Sequence, residues 1–308
     1  MRLLTRADFD GLACGTLLKE LGIIDNWKLV HPKDVQDGLV EATNDDVLCN
    51  IPYVKGCKMW FDHHASEQER LATLGVDTAN VEGDCRLAPS AARVVYDYYG
   101  GDEKLGRFKE MIAFVDKVDS AQLTREEILN PEGWVLLGFV MDPRSGLGRF
   151  RKFRISNYEL MEVLIELCRS ANIKKILDHP DVAERTEIYF KQSEFFKQMI
   201  RDRSTTDANI IITDLRGVQT IYAGNRFLVY SLFPDQNISI WITDGRAKIN
   251  CAIAVGHSIL NRTSKTNVGK LLLQYAGGGH EKVGTCQVPY EDADRVIAEL
   301  IAQMKKDG

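Results

Sequence analysis

The sequence lacks the marks of several classes of protein. Its 7 cysteines among 308 residues are scattered and form no Cys-x-x-Cys pair, which argues against a disulfide framework and a zinc knuckle. No apolar run reaches the roughly 18 residues of a membrane span, and the N-terminus lacks the apolar stretch of a signal peptide. The net charge of -5 does not suit a broad basic surface for long nucleic acids. We therefore expect a cytoplasmic protein with reduced thiols and no membrane contact.

The first 65 residues alternate short apolar runs with helical stretches. Four runs have strand length, and the first is followed by a helix whose leucines recur at helical spacing. The four predicted strands are RLLTR (2–6), KLVHP (28–32), DVLCNIPY (46–53) and KMWFDHH (58–64). Such alternation predicts a parallel sheet with helices on both faces. A ligand site is then expected beyond the carboxyl ends of its strands.

The rest of the chain changes pattern once, and its length allows two domains. Helical patterns follow the first strands, at 88–100, 102–121, 155–200 and 291–306. Period-two runs that predict strands begin near residue 205, among them ANIIITDL, RFLVYSLF and ISIWITDG. We predict an α/β fold in three parts: a parallel-sheet domain at 1–180, a helical connector at 181–204 and a smaller α/β domain with a mixed sheet at 205–308.

Two polar clusters follow predicted strands. Asp8 and Asp10 stand one residue apart before a helix, where they could hold a metal, cap the helix or lie in water. Asp62, His63 and His64 follow the apolar core of the fourth predicted strand, and they cannot all be core residues because neighbours on a strand face opposite ways. Carboxylates and imidazoles together suit Mn²⁺ or Mg²⁺. Such ions polarise a phosphoryl oxygen and generate hydroxide at neutral pH.

Two further segments could contact phosphate. The run GGGH at 277–280 lets the backbone approach a ligand, and its amides can form an anion-binding nest, although a turn between helix and strand is the alternative. The loop 142–156 alternates basic and aromatic residues, which suits phosphates or a stacked base. Its basic residues are Arg144, Arg149, Arg151, Lys152 and Arg154. For this loop we favour a solvated surface segment.

Four motifs in order give the chain a family resemblance. They are RADFDG at 6–11, DHH at 62–64, DKVDSA at 116–121 and GGGH at 277–280. On these the chain resembles the DHH superfamily of phosphoesterases over essentially its whole length, and most of all its exopolyphosphatase-related members. The resemblance implies an N-terminal DHH catalytic-type domain and a C-terminal, DHH-associated substrate-binding domain. It also implies hydrolysis of phosphoester or phosphoanhydride bonds in short nucleotides, oligonucleotides or polyphosphate, with Mn²⁺ or Mg²⁺ as cofactor.

The resemblance also implies three groups of site residues. The catalytic group is Asp62, His63 and His64. The metal ligands are Asp8, Asp10, Asn50 and His63, with Asp116 and Asp119 as the candidates from the late acidic motif. The substrate-binding residues are Arg6, Arg262, Gly277, Gly278, Gly279 and His280.

Two of these positions depart from the family pattern. Arg6 stands where many members have a histidine, and Asn50 stands where many have an aspartate that bridges two metals. We therefore expect one ion rather than two, with Arg6 holding a phosphate. The alternative is a nucleotide-binding sensor with a degenerate, single-metal or metal-free site. The expected partner is a small phosphorylated molecule and not a long duplex; a homodimer is left open.

Overall fold

The computed structural model describes residues 1–150 and 152–308, so Arg151 of the basic loop lies outside the described residues. The chain forms two compact units, and each is built from two segments. The first unit comprises Met1–Gln122 and Pro131–Tyr189, and the second comprises Leu123–Asn130 and Phe190–Gly308. No helix in the described part of the chain is long and apolar enough to cross a membrane.

The first unit contains the parallel sheet that the strand–helix alternation predicts. Its strands are β1 (Arg2–Thr5), β2 (Asn26–Leu29), β3 (Asp46–Cys49), β4 (Met59–Asp62) and β5 (Glu82–Cys85). They lie in the order β2-β1-β3-β4-β5, and every neighbouring pair is parallel. The predicted α/β class is thus confirmed. Strand β5 escaped prediction because its sequence, EGDC, has no apolar pattern.

Helices cover this sheet and make up much of the remaining chain. In chain order they are α1 (Phe9–Glu20), α2 (Pro32–Gln36), α3 (Ala65–Leu74), α4 (Ala91–Tyr98), α5 (Gly101–Leu105), α6 (Lys109–Asp119), α7 (Arg125–Leu129), α8 (Gly133–Met141), α9 (Asn157–Ser170), α10 (Ile173–Leu177), α11 (Pro180–Arg203), α12 (Leu228–Leu232), α13 (Val268–Leu273) and α14 (Ala293–Asp307). The helix predicted at 102–121 is in fact broken, because the 3₁₀ turn Gly106–Phe108 separates α5 from α6. The stretch predicted at 155–200 is likewise three helices.

Alternating strand residues feed two hydrophobic cores, one on each face of the sheet. Leu3 and Phe61 join the core that contains the helix α1 residues Leu12 and Leu17. The next residue along β1, Leu4, points to the opposite core. That second core also contains Leu48 and Trp60 of the sheet together with Val35 of α2 and Leu71 of α3. Both faces of the sheet are therefore buried, as predicted for a parallel sheet.

The second unit contains a mixed sheet, which confirms the predicted class of the C-terminal part. Its strands are β6 (Ser204–Asp207), β7 (Ile210–Asp214), β8 (Ile238–Asp244), β9 (Asn250–His257), β10 (Gly278–His280) and β11 (Val283–Pro289). Their order is β10-β11-β9-β8-β7-β6, and only the pairing of β7 with β8 is parallel. The segment RFLVYSLF, predicted as a strand, instead contains helix α12. Four consecutive residues of α12 are buried, and a continuous apolar run has no period that separates strand from helix.

The turn from β1 into α1 explains the spacing of the first motif. Asp8 is the N-cap of α1, and its Oδ1 accepts a hydrogen bond from the Gly11 N–H over 2.9 Å. A Cβ atom at Gly11 would lie 2.0 Å from the carbonyl oxygen of Arg6, so this close approach needs glycine. Strands β1, β3 and β4 are neighbours, and they bring the segments after Thr5, Cys49 and Phe61 to one edge.

Candidate metal centre

Asp10 is held by the start of a helix. Its side chain is buried, and its two carboxylate oxygens accept hydrogen bonds from the N–H groups of Ala91 and Ala92, over 2.9 and 2.7 Å. These residues open helix α4, where unpaired N–H groups and the helix dipole favour an anion. Burial nevertheless raises the pKa of Asp10 well above its ordinary value, and the charges of Asp119 and Asp8 raise it further. A cation beside Asp10 would relieve this cost.

His63 directs one ring nitrogen into the carboxylates. Its Nδ1 lies 3.1 Å from the carbonyl oxygen of Ala88, which accepts a hydrogen bond only if Nδ1 carries the proton. Nε2 then presents its lone pair, 3.8 Å from Asp10 Oδ2 and 3.4 Å from Asp119 Oδ2. That nitrogen is buried and has no hydrogen-bond partner among the described residues. An orphaned imidazole nitrogen between two carboxylate oxygens, all within 4.8 Å of one another, fits a divalent cation.

The two aspartates of the late acidic motif, Asp116 and Asp119, contact different groups. Asp119 ends helix α6, and its carboxylate joins Asp10 and His63; its side chain is 30% exposed, yet burial of the carboxylate raises its pKa. Asp116 points elsewhere: it accepts hydrogen bonds from Ser90 Oγ over 2.7 Å and from Arg93 over 2.7 and 2.9 Å. Among the described residues it joins neither group of candidate metal ligands. The structure therefore brings Asp119, and not Asp116, to the candidate centre.

The carboxylate of Asp8 contacts three other groups. Oδ1 accepts from Gly11 and from Asn50 Nδ2, the latter over 3.0 Å, and Oδ2 lies 3.1 Å from Arg6 Nε. Asn50 is buried directly after β3 with a φ of 56°, in the left-handed region that asparagine tolerates better than most residues. The two residues that depart from the family pattern thus both contact the first aspartate. The Asp8 carboxylate therefore accepts from an amide and lies against a guanidinium.

Asp62 and His64 form a pair next to His63. Asp62 is buried and its Oδ1 lies 2.8 Å from His64 Nδ1. Burial acts to lower the pKa of His64, but the hydrogen bond and charge of Asp62 outweigh it and the pKa is raised. The rings of His63 and His64 lie 4.2 Å apart, so the two histidines of the motif share one site while their nitrogens face different partners.

In the second unit, the three glycines of GGGH differ in what surrounds them. A Cβ on Gly277 would lie 2.5 Å from the carbonyl oxygen of Thr285, and one on Gly279 would lie 2.3 Å from that of Val283. Packing against strand β11 therefore explains both glycines. A Cβ on Gly278 would meet no atom within 4 Å, so packing does not explain this glycine. Two charged or titratable candidates of this unit, His280 and Arg262, are both exposed, and Arg262 Nε donates to the Ile259 carbonyl oxygen over 2.9 Å.

Several groups that support the candidate ligands have little or no signal in the sequence. Ser90 is the N-cap of α4 and accepts from the Arg93 N–H over 3.0 Å. The serine before Ala-Ala-Arg is a helix-start signal that could have been noticed. No sequence pattern marks the backbone N–H groups of Ala91 and Ala92, or the carbonyl of Ala88, as partners of distant side chains.

Comparisons with known proteins place the chain among solved structures. A scan against family models and a search of curated proteins returned no match. The chain is similar to the solved structure of a pGpG-specific phosphodiesterase, PggH from Vibrio cholerae, with 48% identity, a TM-score of 0.86 and coverage of 100% of this chain and 99% of that chain.

More distant structures share the fold. An exopolyphosphatase-related protein from Bacteroides fragilis has 12% identity and a TM-score of 0.54, covering 99% of this chain and 92% of that chain. RecJ from Thermus thermophilus, in complex with Mn²⁺, has 14% identity and a TM-score of 0.51, covering 99% of this chain and 52% of that chain. With the near-complete match to PggH, the chain belongs to the DHH superfamily of phosphoesterases.

Proposed function

We propose that this phosphoesterase hydrolyses the linear dinucleotide pGpG to two molecules of GMP. The observation that carries the proposal is the 48% identity, over the full chain, to a pGpG-specific phosphodiesterase. In the reaction water attacks the internal phosphorus, the bond from phosphorus to the 3′ oxygen breaks, and that oxygen takes up a proton. The site must therefore hold a water, neutralise a phosphate and deliver one proton.

One divalent cation, Mn²⁺ or Mg²⁺, would be held by Asp10, His63 and Asp119. The orphaned Nε2 of His63 and the raised pKa of both carboxyl groups support this ligand set. When bound, such an ion polarises a phosphoryl oxygen and lowers the pKa of a bound water. The hydrogen bond from His63 Nδ1 to the Ala88 carbonyl keeps the ring in the orientation and tautomer that a ligand needs.

The other residues of the centre have roles that do not depend on that ion. Arg6, beside Asp8 and 30% exposed, supplies positive charge where many family members have a metal-ligating histidine. Asn50 fixes Asp8 with its amide. His64 is oriented by Asp62 through Nδ1, so its Nε2 is the atom that would give a proton to the leaving 3′ oxygen.

For the C-terminal domain, proposed at 205–308, the role is to bind the phosphate that is not cleaved. The open side of Gly278 supports a close approach of ligand to backbone, and the exposed His280 and Arg262 provide polar groups for a phosphate. The domain proposed at 1–180 would carry the chemistry, with 181–204 as connector.

A nucleotide-binding sensor is the second candidate. The observation that favours it is the set of contacts around Asp8, whose carboxylate is satisfied by Gly11, Asn50 and Arg6 without a metal. Such a protein would bind nucleotide but release no product, so turnover separates the two functions.

The purified protein with Mn²⁺ is expected to convert pGpG to GMP faster than it cleaves pAp, cyclic dinucleotides or polyphosphate. Chromatography of the products measures this, and an excess of EDTA should abolish turnover because the ligand set needs its cation. His63→Ala is the matched inactive control. Binding of pGpG without any release of GMP would instead establish the sensor.

Variants at the two aspartates of the late motif are expected to differ in the amount of Mn²⁺ that the protein binds. Asp119→Asn removes a ligand charge and should lower bound Mn²⁺ at least about tenfold. Asp116→Asn should keep the metal but lower the free energy of unfolding by about 1–3 kcal/mol, because Arg93 and Ser90 lose their acceptor. Elemental analysis after dialysis and urea unfolding measure the two effects. Loss of metal from the Asp116 variant alone would show that Asp116, and not Asp119, is the metal ligand.

The glycines of GGGH are expected to respond differently to alanine. Gly278→Ala has open space and should leave the melting temperature unchanged while raising KM for pGpG about tenfold. Gly279→Ala, at a φ of 149° and 2.3 Å from a carbonyl oxygen, should destabilise the fold. Steady-state kinetics with thermal unfolding checks both. An unchanged KM in the Gly278 variant would remove this loop from the substrate site.

A further inference from the structure

The turn after helix α8 carries an arginine of the loop 142–156, which its sequence predicts to be a solvated surface segment. Arg144 lies in the 3₁₀ turn Pro143–Ser145, for which Asp142 is the N-cap. Asp142 Oδ1 accepts hydrogen bonds from both the backbone N–H and the Nε–H of Arg144, over 2.9 and 2.7 Å. Because one oxygen holds the backbone and the side chain together, the guanidinium has a fixed direction.

Helix packing places this turn beside the candidate centre. Gly138 lies one helical turn before Asp142, on the same side of α8. A Cβ on Gly138 would lie 3.1 Å from Phe9 Cδ1 and 3.2 Å from Val118 Cγ1, so this side of α8 packs against both residues. Phe9 separates the two aspartates of the first motif, and Val118 directly precedes the late-motif ligand. Helix α8 thus packs, one turn before its end, against the segments that carry the carboxylates.

The charges of the centre act on this arginine. Partial burial acts most strongly, and it acts to lower the pKa of Arg144. The charge and hydrogen bond of Asp142 and the charges of Asp8 and Asp119 together outweigh it, so the pKa is raised. The effect is mutual, since Arg144 also lowers the pKa of Asp119 against its burial. Arg144 therefore lies within electrostatic range of two carboxylates of the centre, although it forms an ion pair with neither.

The outer edge of the guanidinium is open to a ligand. The side chain of Arg144 is 49% exposed, and no hydrogen bond other than those to Asp142 joins it to the rest of the described chain. Both Nη groups therefore keep their donors. Two parallel N–H groups of a guanidinium match two oxygens of a phosphate.

We infer that Arg144 binds the phosphate that is cleaved, as a second guanidinium in addition to Arg6. The charges are compatible with this: with Asp142 counted, the four carboxylates of Asp8, Asp10, Asp119 and Asp142 would be balanced by two guanidinium groups and one divalent ion, so an entering phosphate would meet no net negative charge. The internal phosphodiester of pGpG carries a single negative charge. The inference rests on the proposed function for the identity of the substrate.

The experiment compares Arg144→Gln, Arg144→Lys and a control, Arg107→Gln, in the full-length protein with Mn²⁺. Arg107 is also about half exposed, at 54%, and forms an ion pair with Glu20. Three quantities are measured for each: kcat/KM for pGpG, the Kd of GMP by calorimetry, and bound Mn²⁺. We expect Arg144→Gln to lower kcat/KM and to weaken GMP binding about 10- to 100-fold, with unchanged Mn²⁺ and melting temperature. Arg144→Lys should recover part of the loss, because lysine keeps the positive charge but lacks the two parallel N–H donors of the guanidinium.

The outcomes separate this inference from the proposed function. If wild type cleaves pGpG and the Arg144→Gln variant matches the Arg107→Gln variant within about twofold, the inference is wrong and the function stands. If wild type does not cleave pGpG, the proposed function fails, and GMP binding alone decides: weakened binding supports the role of Arg144 and unchanged binding overturns it. Loss of Mn²⁺ from the Arg144→Gln variant would also overturn it, because the residue would then act through the metal ligands.

Discussion

Several carboxylates lie close together at the carboxyl edge of the first sheet, where they are poorly solvated. Their mutual repulsion is the constraint that the surrounding residues must offset. Asp10 is buried, and both Asp8 and Asp119 raise its pKa. Like charges at this range would drive one carboxyl group to keep its proton unless cations or N–H donors offset them. The chain supplies donors from the start of α4, a guanidinium from Arg6 beside Asp8, and an orphaned imidazole nitrogen of His63 that fits a divalent cation.

Residues that are not themselves candidate metal ligands support this arrangement. Asp116 holds Ser90 and Arg93, Ser90 caps α4, and the first N–H groups of α4 hold Asp10. Asp116 is thus linked to the candidate centre through helix α4, and among the described residues it belongs to neither group of candidate ligands. Asp116 and Asp119 are three residues apart on one helix, so a single motif carries both a candidate ligand and a residue that supports the centre.

Local patterns predicted most of the fold and several of the residues that the structure brings together at the candidate centre. The strand–helix alternation and the polar residues after the strands were sufficient, because parallel strands bring their carboxyl ends to one edge. The choice between Asp116 and Asp119 was beyond sequence reasoning, since residues three apart share a helix face and only the packing of Arg93 distinguishes them. The same limit applies to α12, where a continuous apolar run has no diagnostic period, and to Arg144, whose place follows from the packing of Gly138.

The departures from the family pattern at Arg6 and Asn50 bear on how many metal ions the centre binds. If Arg6 takes the place of a second cation, the wild-type protein binds one ion, and restoring the family pattern must raise that number. Elemental analysis of dialysed protein measures it for wild type and for the double variant Arg6→His with Asn50→Asp. The account predicts about one Mn²⁺ per chain in wild type and a clear increase in the double variant, larger than the sum of the single changes because both residues contact Asp8. Equal metal content in the two proteins would contradict it.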